Sequence, residues 1–292
     1  MSSALGRDPK LATRKAERFL ADEGITVLPV NPRAIAKKLG IIVQAKPDSA
    51  PGVSGMLLRN GNSFGILYAT NVPSEGFQNF SIAHELGHYL LDGHPEWIFR
   101  NNTDAHSSHA GFVSADPFEV EADHYAAGLL MPDPMFSSAL RREKDGIEGI
   151  KSLANLCRTS LTATATRYVQ RTSIPACVVM STGNRIDYCF LSDAMKEFPG
   201  LTWPRKGELL PQEVATARFN REARNILEAR QDEVDEDLQR WFGGERRVEI
   251  REEILGLGRY GRTLTVLTAS IFADEEDEEA DLQERWTPRF RR

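Results

Sequence analysis

This chain lacks most of what would mark a secreted, membrane-spanning or nucleic-acid-coating protein. Its 292 residues hold three cysteines, Cys157, Cys177 and Cys189, an odd number with no C-x-x-C pair. Neither a disulfide framework nor a cysteine-ligated zinc cluster is supported, and a reducing cytoplasm is the expected location. No run of about 18 apolar residues occurs, so no segment is suited to crossing a bilayer. Met1 to Lys10 has no apolar core of the kind a secretory signal needs. Positive charge is also in short supply. Lys and Arg number 36 against 42 Asp and Glu, a net charge of −6, which argues against direct DNA binding as the main role. There is no G-x-x-x-x-G-K-S/T phosphate loop and no internal repeat. With 41% hydrophobic residues, the chain is long enough for one large domain or two to three small ones with proper cores.

What is present is the stretch Phe80-Ser81-Ile82-Ala83-His84-Glu85-Leu86-Gly87-His88-Tyr89-Leu90-Leu91. Read as a helix, it puts His84 and His88 one turn apart on one face, with Glu85 about 100° round from His84 and able to reach the same cavity. Neutral imidazoles hold a borderline-soft divalent metal, and a carboxylate just off the metal can take a proton from water. H-E-x-x-H on a helix is the zincin arrangement, and the reaction it implies is hydrolysis. The flanks Phe80, Ile82, Ala83, Leu86, Leu90 and Leu91 predict a buried helix, where two His and a Glu would be costly without a metal or other partners. Two core histidines bonded to backbone carbonyls are the bland alternative.

A catalytic zinc usually takes a third protein ligand. His94 follows His88 at the metzincin spacing, but Leu91 stands where that pattern has glycine, and Gly93 comes two places late. The other source is Phe118-Glu119-Val120-Glu121-Ala122-Asp123-His124-Tyr125-Ala126-Ala127-Gly128-Leu129-Leu130-Met131-Pro132, a predicted helix stopped by proline. Glu119 and Asp123 are one turn apart there, so Glu119 could ligate while Asp123 accepts the ring N–H of a ligating histidine. Glu119 leads because two His and a carboxylate form a standard catalytic set; Glu121 and His94 are the alternatives.

These two segments resemble the ImmA/IrrE metallo-endopeptidases. Their signature is an AHELGH helix followed some thirty residues later by E-x-x-A-(N/D)-x-(F/Y)-A-x-x-L-L-M-P; Tyr125 takes the position where Phe is commoner. The resemblance covers about residues 10 to 180. It implies a zincin-like fold, His84 and His88 as metal ligands, Glu119 rather than Glu121 as the third, Glu85 as general base, and Asp123 at the Asn/Asp position. It also implies a protein substrate, a helix-turn-helix repressor of the Xre type, whose cleavage would release stress-response or mobile-element genes. Zinc is the chemical default, with Mn2+ or Fe2+ as substitutes when more available.

In chain order, residues 11–22 and a segment capped at Asn31-Pro32 and ending at Leu39-Gly40 predict helices. Ile41 to Gln44, Val53 to Arg59 and Phe64 to Tyr68 predict strands, the last two joined through Asn60-Gly61-Asn62. A small sheet beside the metal helix follows, with an exposed edge strand expected to pair with an extended substrate. Asp92 to Phe118 reads as a long loop over the site, anchored by Trp97 and Phe99. Its His94, His106 and His109, with His124 beyond, could stabilise an oxyanion or bind metal, but each alone reads as a solvated histidine or one supporting a ligand. Tyr68, Tyr89 and Tyr125 are candidates of the same kind.

Ile150 to Gln170 carries apolar residues at helical spacing around Thr159-Ser160, like a helix-turn-helix. Arg158, Arg167 and Arg171 could touch phosphate, which defines the rival reading of the chain as a metal-binding transcription regulator that binds DNA through residues 150–171 without proteolysis. The expected role instead is a helical pair packed on the peptidase, and DNA binding is not the family's usual use of this segment. After Pro175 come strands at Ala176 to Met180 and Arg185 to Leu191, a charged helical run from Glu213 to Phe242, and strands at Arg247 to Glu253 and Arg262 to Phe272. The expected organisation is α+β. It comprises a zincin-like metallopeptidase domain of helices and a small sheet over 1–140, a helix-turn-helix-like segment over 141–172, a C-terminal α/β domain over 173–272 and a charged tail over 273–292. In the family's best-known members the C-terminal region is GAF-like and associated with sensing. The acidic run Asp274 to Asp281 is read as a solvated tail.

Overall fold

The computed structural model describes residues 8–46, 52–101, 103–108, 114–244 and 247–269. The chain divides into two compact units, residues 1–143 with 151–164, and residues 144–150 with 165–292.

The first unit begins with α1 (Pro9–Asp22) and α2 (Pro32–Lys38). Asp8 and Asn31 cap them by accepting the N–H groups of Lys10 and Ala34, and a proline in each first turn needs no such partner. Three strands follow, β1 (Ile42–Lys46), β2 (Gly55–Asn60) and β3 (Ser63–Ala69). β2 and β3 form a hairpin across Gly61, whose φ of 59° suits a residue without Cβ. Then come α3 (Glu75–Leu90), α4 (His94–Ile98), β4 (Ala105–Ser108), α5 (Pro117–Leu130) and α6 (Asp133–Leu140). The sheet order is β1-β3-β2-β4, with β1 parallel to β3 and the other neighbours antiparallel.

Ser74 opens α3 by accepting the Phe77 N–H, and every residue from Asn79 to His88 is buried. That burial on all sides matches the continuous apolar flanks of the motif. Asp116 opens α5, accepting the Phe118 N–H ahead of Pro117. Two glycines set how closely α5 is approached. A Cβ on Gly87 would stand 3.3 Å from the Ala122 Cα and carbonyl oxygen, and one on Gly128 would meet Thr13 backbone at 2.9 Å. Small residues at these crossings let α3 and α1 lie against α5 nearly backbone to backbone.

The predicted long loop from Asp92 to Phe118 is a correction. Gly93, left-handed at φ 78°, starts α4, and β4 adds to the free edge of β2 with Gly55 opposite Ser108 and Leu57 opposite His106. Ala-His-Ser-Ser carries no strand periodicity of its own; the open backbone groups of β2 make it a strand. His109 lies outside the described residues.

α7 (Gly146–Cys157) and α8 (Leu161–Arg171) follow, each divided between the two units. Within the first unit, the turn after α7 holds Arg158 at φ 53°, and the Asn79 side chain donates to the Arg158 carbonyl at 3.1 Å.

The second unit holds β5 (Ala176–Thr182), β6 (Arg185–Leu191), α9 (Asp193–Lys196), α10 (Ala215–Asn220), α11 (Ala223–Leu227), β7 (Gln231–Asp237), α12 (Leu238–Phe242), β8 (Glu249–Gly256) and β9 (Thr263–Ala269). Its sheet is antiparallel throughout, in the order β6-β5-β9-β8-β7. Val179, Ile186, Met195, Leu238, Trp241, Phe242 and Leu267 are among its buried core residues. The single helical run expected from Glu213 to Phe242 is overturned: it is three short helices interrupted by β7. Gln-Asp-Glu-Val-Asp-Glu-Asp reads as helical because acidic residues favour helix over strand in isolation, but β7 is an edge strand, where charges are tolerated and block further pairing. Arg251 on β8 reaches Glu233 at 3.2 Å. The predicted strand end at Phe272 and the acidic run lie outside the described residues, which end at Ala269.

Candidate metal centre

α3 and α5 together bring His84, His88 and Glu119 to one buried point, each offering one ligand atom. His84 Nε2 and His88 Nε2 are 3.0 Å apart, Glu119 Oε2 is 3.3 Å from the first and Glu119 Oε1 is 3.2 Å from the second. A first-row divalent ion with ligands at about 2.0–2.1 Å in a tetrahedron would space them by about 3.3 Å. The chemistry of the donors fits as well as the spacing. His84 Nδ1 is 2.8 Å from Asp123 Oδ1, and His88 Nδ1 is 3.0 Å from His94 Nδ1. With the Nδ1 protons engaged there, two neutral imidazoles present bare Nε2 lone pairs to each other and to a carboxylate, an arrangement that a cation resolves.

Without a metal the cluster accommodates one proton. Burial works against a charge on His84, but the hydrogen bonds of Asp123 and Glu119 and the nearby Glu85 outweigh it and raise its pKa to about 10. His88 goes the other way, to about 4: burial dominates, Glu119 opposes it, and charge on His84 adds to it. Glu119 is held well below the usual carboxylate range; burial favours its neutral form, but His106, His84 and His88 prevail.

Glu85 is fully buried, and among the described residues the Ser108 hydroxyl is the one side chain placed to hydrogen-bond its carboxylate. Burial pushes its pKa up to about 7, opposed first by the charge of His84 and then by a hydrogen bond from the Ser108 hydroxyl, which favours the charged form. The side chain rests against β2 at Gly55, where a Cβ would stand 2.6 Å from Glu85 Oε1. Gly55 and Leu57 share a face of β2, and their β4 partners are Ser108 and His106. The pleat of this hairpin edge therefore turns toward the metal helix.

The other candidates divide as follows. Glu121 Oε2 meets His94 Nε2 at 3.1 Å, and His94 is completely buried rather than solvated. His106 Nε2 meets Glu119 Oε1 at 2.9 Å, its ring edge-on to His88 with centroids 4.9 Å apart. The only sequence signal for His106 was its being one of six histidines; its strand was not foreseen. Trp97 stacks on Phe118 with centroids 4.1 Å apart and lies edge-on to His106. The His124 backbone carbonyl accepts the Thr13 hydroxyl. Tyr125 is buried, its hydroxyl has no partner among the described residues, and burial raises its pKa.

The Peptidase M78 family model, described as the IrrE N-terminal-like domain, matches residues 36–168, a span that contains every residue of this centre. No curated protein matches the chain. Among solved structures, a Mycobacterium tuberculosis transcriptional regulator is similar at 15% identity and a TM-score of 0.53, over 91% of this chain and 78% of that one. At that identity the likeness is one of fold.

Proposed function

From the premise that residues 36–168 form an IrrE N-terminal-like domain, which makes this an ImmA/IrrE family protein, we propose a zinc-dependent endopeptidase that cleaves an Xre-type repressor. The observation that carries the reading is Glu85: a completely buried carboxylate whose pKa burial lifts to about 7, beside three convergent metal-ligand atoms. A structural metal site has no use for such a group and would normally supply a fourth protein ligand.

In this reading His84, His88 and Glu119 hold the ion, with zinc the default and Mn2+ or Fe2+ acceptable to the same donors. The bound ion would supply Lewis acidity toward the scissile carbonyl and make water at the site more acidic. Glu85 takes the proton from the attacking water and delivers it to the departing amine nitrogen, a role suited to a group whose pKa burial sets near neutrality. His106, bonded to Glu119 and standing on β4, is placed to hold that ligand and face the substrate. Among the described residues β4 pairs only with β2, so its outer edge offers backbone hydrogen bonds to an extended peptide of any sequence. Replacing β4 positions with proline should lower cleavage.

The repressor substrate, the cytoplasmic setting and a sensory, GAF-like role for the C-terminal unit come from the family resemblance and belong to the proposal. Among the described residues, no helix is long and apolar enough to cross a membrane. The DNA-binding alternative has weak support: Arg167 is buried, and the exposed Arg158 is ion-paired with Glu75 at 3.1 Å, which offsets its charge.

The test is to incubate zinc-loaded wild type and Glu85→Gln with an Xre-type repressor encoded beside the gene and read the products by mass spectrometry. Cleavage by wild type, with a loss of about 10²–10⁴-fold in the variant, is expected. Equal cleavage by both would remove Glu85 from the mechanism. No cleavage by zinc-loaded wild type would count against the substrate.

A further inference from the structure

The two ligand histidines are supported differently. His84 turns its Nδ1 directly onto the Asp123 carboxylate at 2.8 Å. His88 has no carboxylate on its Nδ1; it meets His94 Nδ1 at 3.0 Å, and the far nitrogen of His94 meets Glu121 Oε2 at 3.1 Å. His94 is completely buried, and Glu121 is 9% exposed. We propose that His94 and Glu121 are not ligands but a two-residue relay that orients His88 and sets its strength as a metal donor. The inference rests on His88 being a ligand, as in the reading above.

The direction of the hydrogen bonds follows from the ends of the chain. Glu121 as a carboxylate can only accept, so His94 Nε2 carries the proton and donates to it. His94 Nδ1 is then a lone pair, which His88 Nδ1–H donates to. His88 Nε2 is left unprotonated, the form in which it faces His84 and Glu119. One arrangement of protons satisfies all four ring nitrogens, and it fixes both the tautomer and the plane of His88. The same geometry removes His94 from the ligand set, because both of its nitrogens are engaged away from the convergent point. Glu121 lies two residues from Glu119, about 200° round α5, and therefore cannot share its direction.

The elements that build the relay are short and exact in placement. Gly93 in its left-handed conformation turns the chain after α3, so that α4 begins at His94 and returns it to His88. Phe118 closes over the His94 ring, centroids 5.0 Å apart, and fixes its orientation. A neutral imidazole between the ligand and the carboxylate should transmit less negative charge than Asp123 does, so the effect of breaking the relay should be smaller than that of removing Asp123.

The experiment measures zinc affinity by chelator competition, and the visible spectrum after cobalt(II) substitution, in full-length protein. His94→Ala and Glu121→Ala should each weaken zinc by about 10-fold, Asp123→Ala by more, toward about 100-fold. The double variant His94→Ala/Glu121→Ala should be no weaker than His94→Ala, since either change breaks the same chain. His94→Asn, whose Oδ1 takes the place of Nδ1 as acceptor for His88 but which cannot reach Glu121, should lose no more affinity than Glu121→Ala and keep a cobalt band nearer wild type than that of His94→Ala. Thermal unfolding of the metal-free proteins controls for folding, and His94→Asn and Glu121→Gln, being close in shape, keep the test valid if the alanine variants unfold. Unchanged affinity in His94→Ala, or additive losses in the double variant, would overturn the relay alone. Complete loss of the cobalt spectrum in His94→Ala with retention in Glu119→Ala would make His94 a ligand. Failure of wild type to bind any metal would overturn the metal centre itself.

Discussion

Glu85 in the first unit and Glu252 in the second are both completely buried, and they are treated in opposite ways. Glu252, on β8, accepts from the Ala215 and Thr216 backbone N–H groups at 3.3 and 2.6 Å, the Thr216 hydroxyl at 2.7 Å and the Trp241 indole at 3.0 Å. It closes the N-terminus of α10, which has no side-chain cap of its own. Glu85 has, among the described residues, no backbone N–H and only the Ser108 hydroxyl to set against its burial. A buried carboxylate costs several kcal/mol unless hydrogen bonds or charge replace its water, so Glu252 belongs to the structure, and Glu85 is a liability the fold carries for a reason outside its own stability. The difference separates architecture from chemistry without reference to either unit's identity.

The contrast can be broken first at Glu252. Glu252→Ala leaves two helix N–H groups and an indole N–H without an acceptor, and should lower stability by about 3–5 kcal/mol, read by denaturant unfolding of the metal-free chain. A loss below about 1 kcal/mol would mean that the four bonds are not worth what their burial implies.

Glu85→Gln should do the reverse in metal-free protein. Because the folded pKa of about 7 lies above the ordinary carboxyl value of 4.5, folding favours the protonated carboxyl. Its penalty is absent below pH 4.5, grows between pH 4.5 and about 7, and is constant above that. The glutamine variant should therefore match wild type in acid and exceed it by about 3 kcal/mol above neutrality. Unfolding at a series of pH values after chelation checks this; a variant less stable than wild type at high pH would place a hidden partner on Glu85.

The smallest expected effect sharpens the contrast at Gly55. Its added methyl would push on the Glu85 carboxylate at 2.6 Å, the mobile end of a side chain, and so Gly55→Ala should leave the melting temperature nearly unchanged. Displacing the base should still reduce cleavage by about 10²-fold, seen as kcat rather than KM. Parallel loss of stability and activity would show that Gly55 serves packing instead.

Much of the first unit could be read directly. The cap at Asn31, the β2–β3 hairpin at Gly61 and the apolar run of α3 are local in the sequence and follow local rules. β4, α4 and β7 were not legible, for a common reason. Ala-His-Ser-Ser and Gln-Asp-Glu-Val-Asp-Glu-Asp are strands because an adjacent strand leaves unpaired backbone groups beside them, and neither carries the alternation that would announce it. The same applies to His94 and His106. Both were visible as histidines, but whether each was solvated or locked into the centre depended on where α4 and β4 were placed.

By itself the sequence determined which side chains α3 presents together, since His84, Glu85 and His88 owe their shared side to helical periodicity, and it placed Glu119 and Asp123 on one face of a second helix for the same reason. The tertiary structure decided which neighbours complete that centre. Gly87 sets how close α3 and α5 approach, Gly55 leaves room for the Glu85 side chain, and a chain reversal at Gly93 returns His94 to His88. Periodicity is a property of one segment, but a hydrogen-bond chain from His88 through His94 to Glu121 requires three segments to meet, and only packing brings them together.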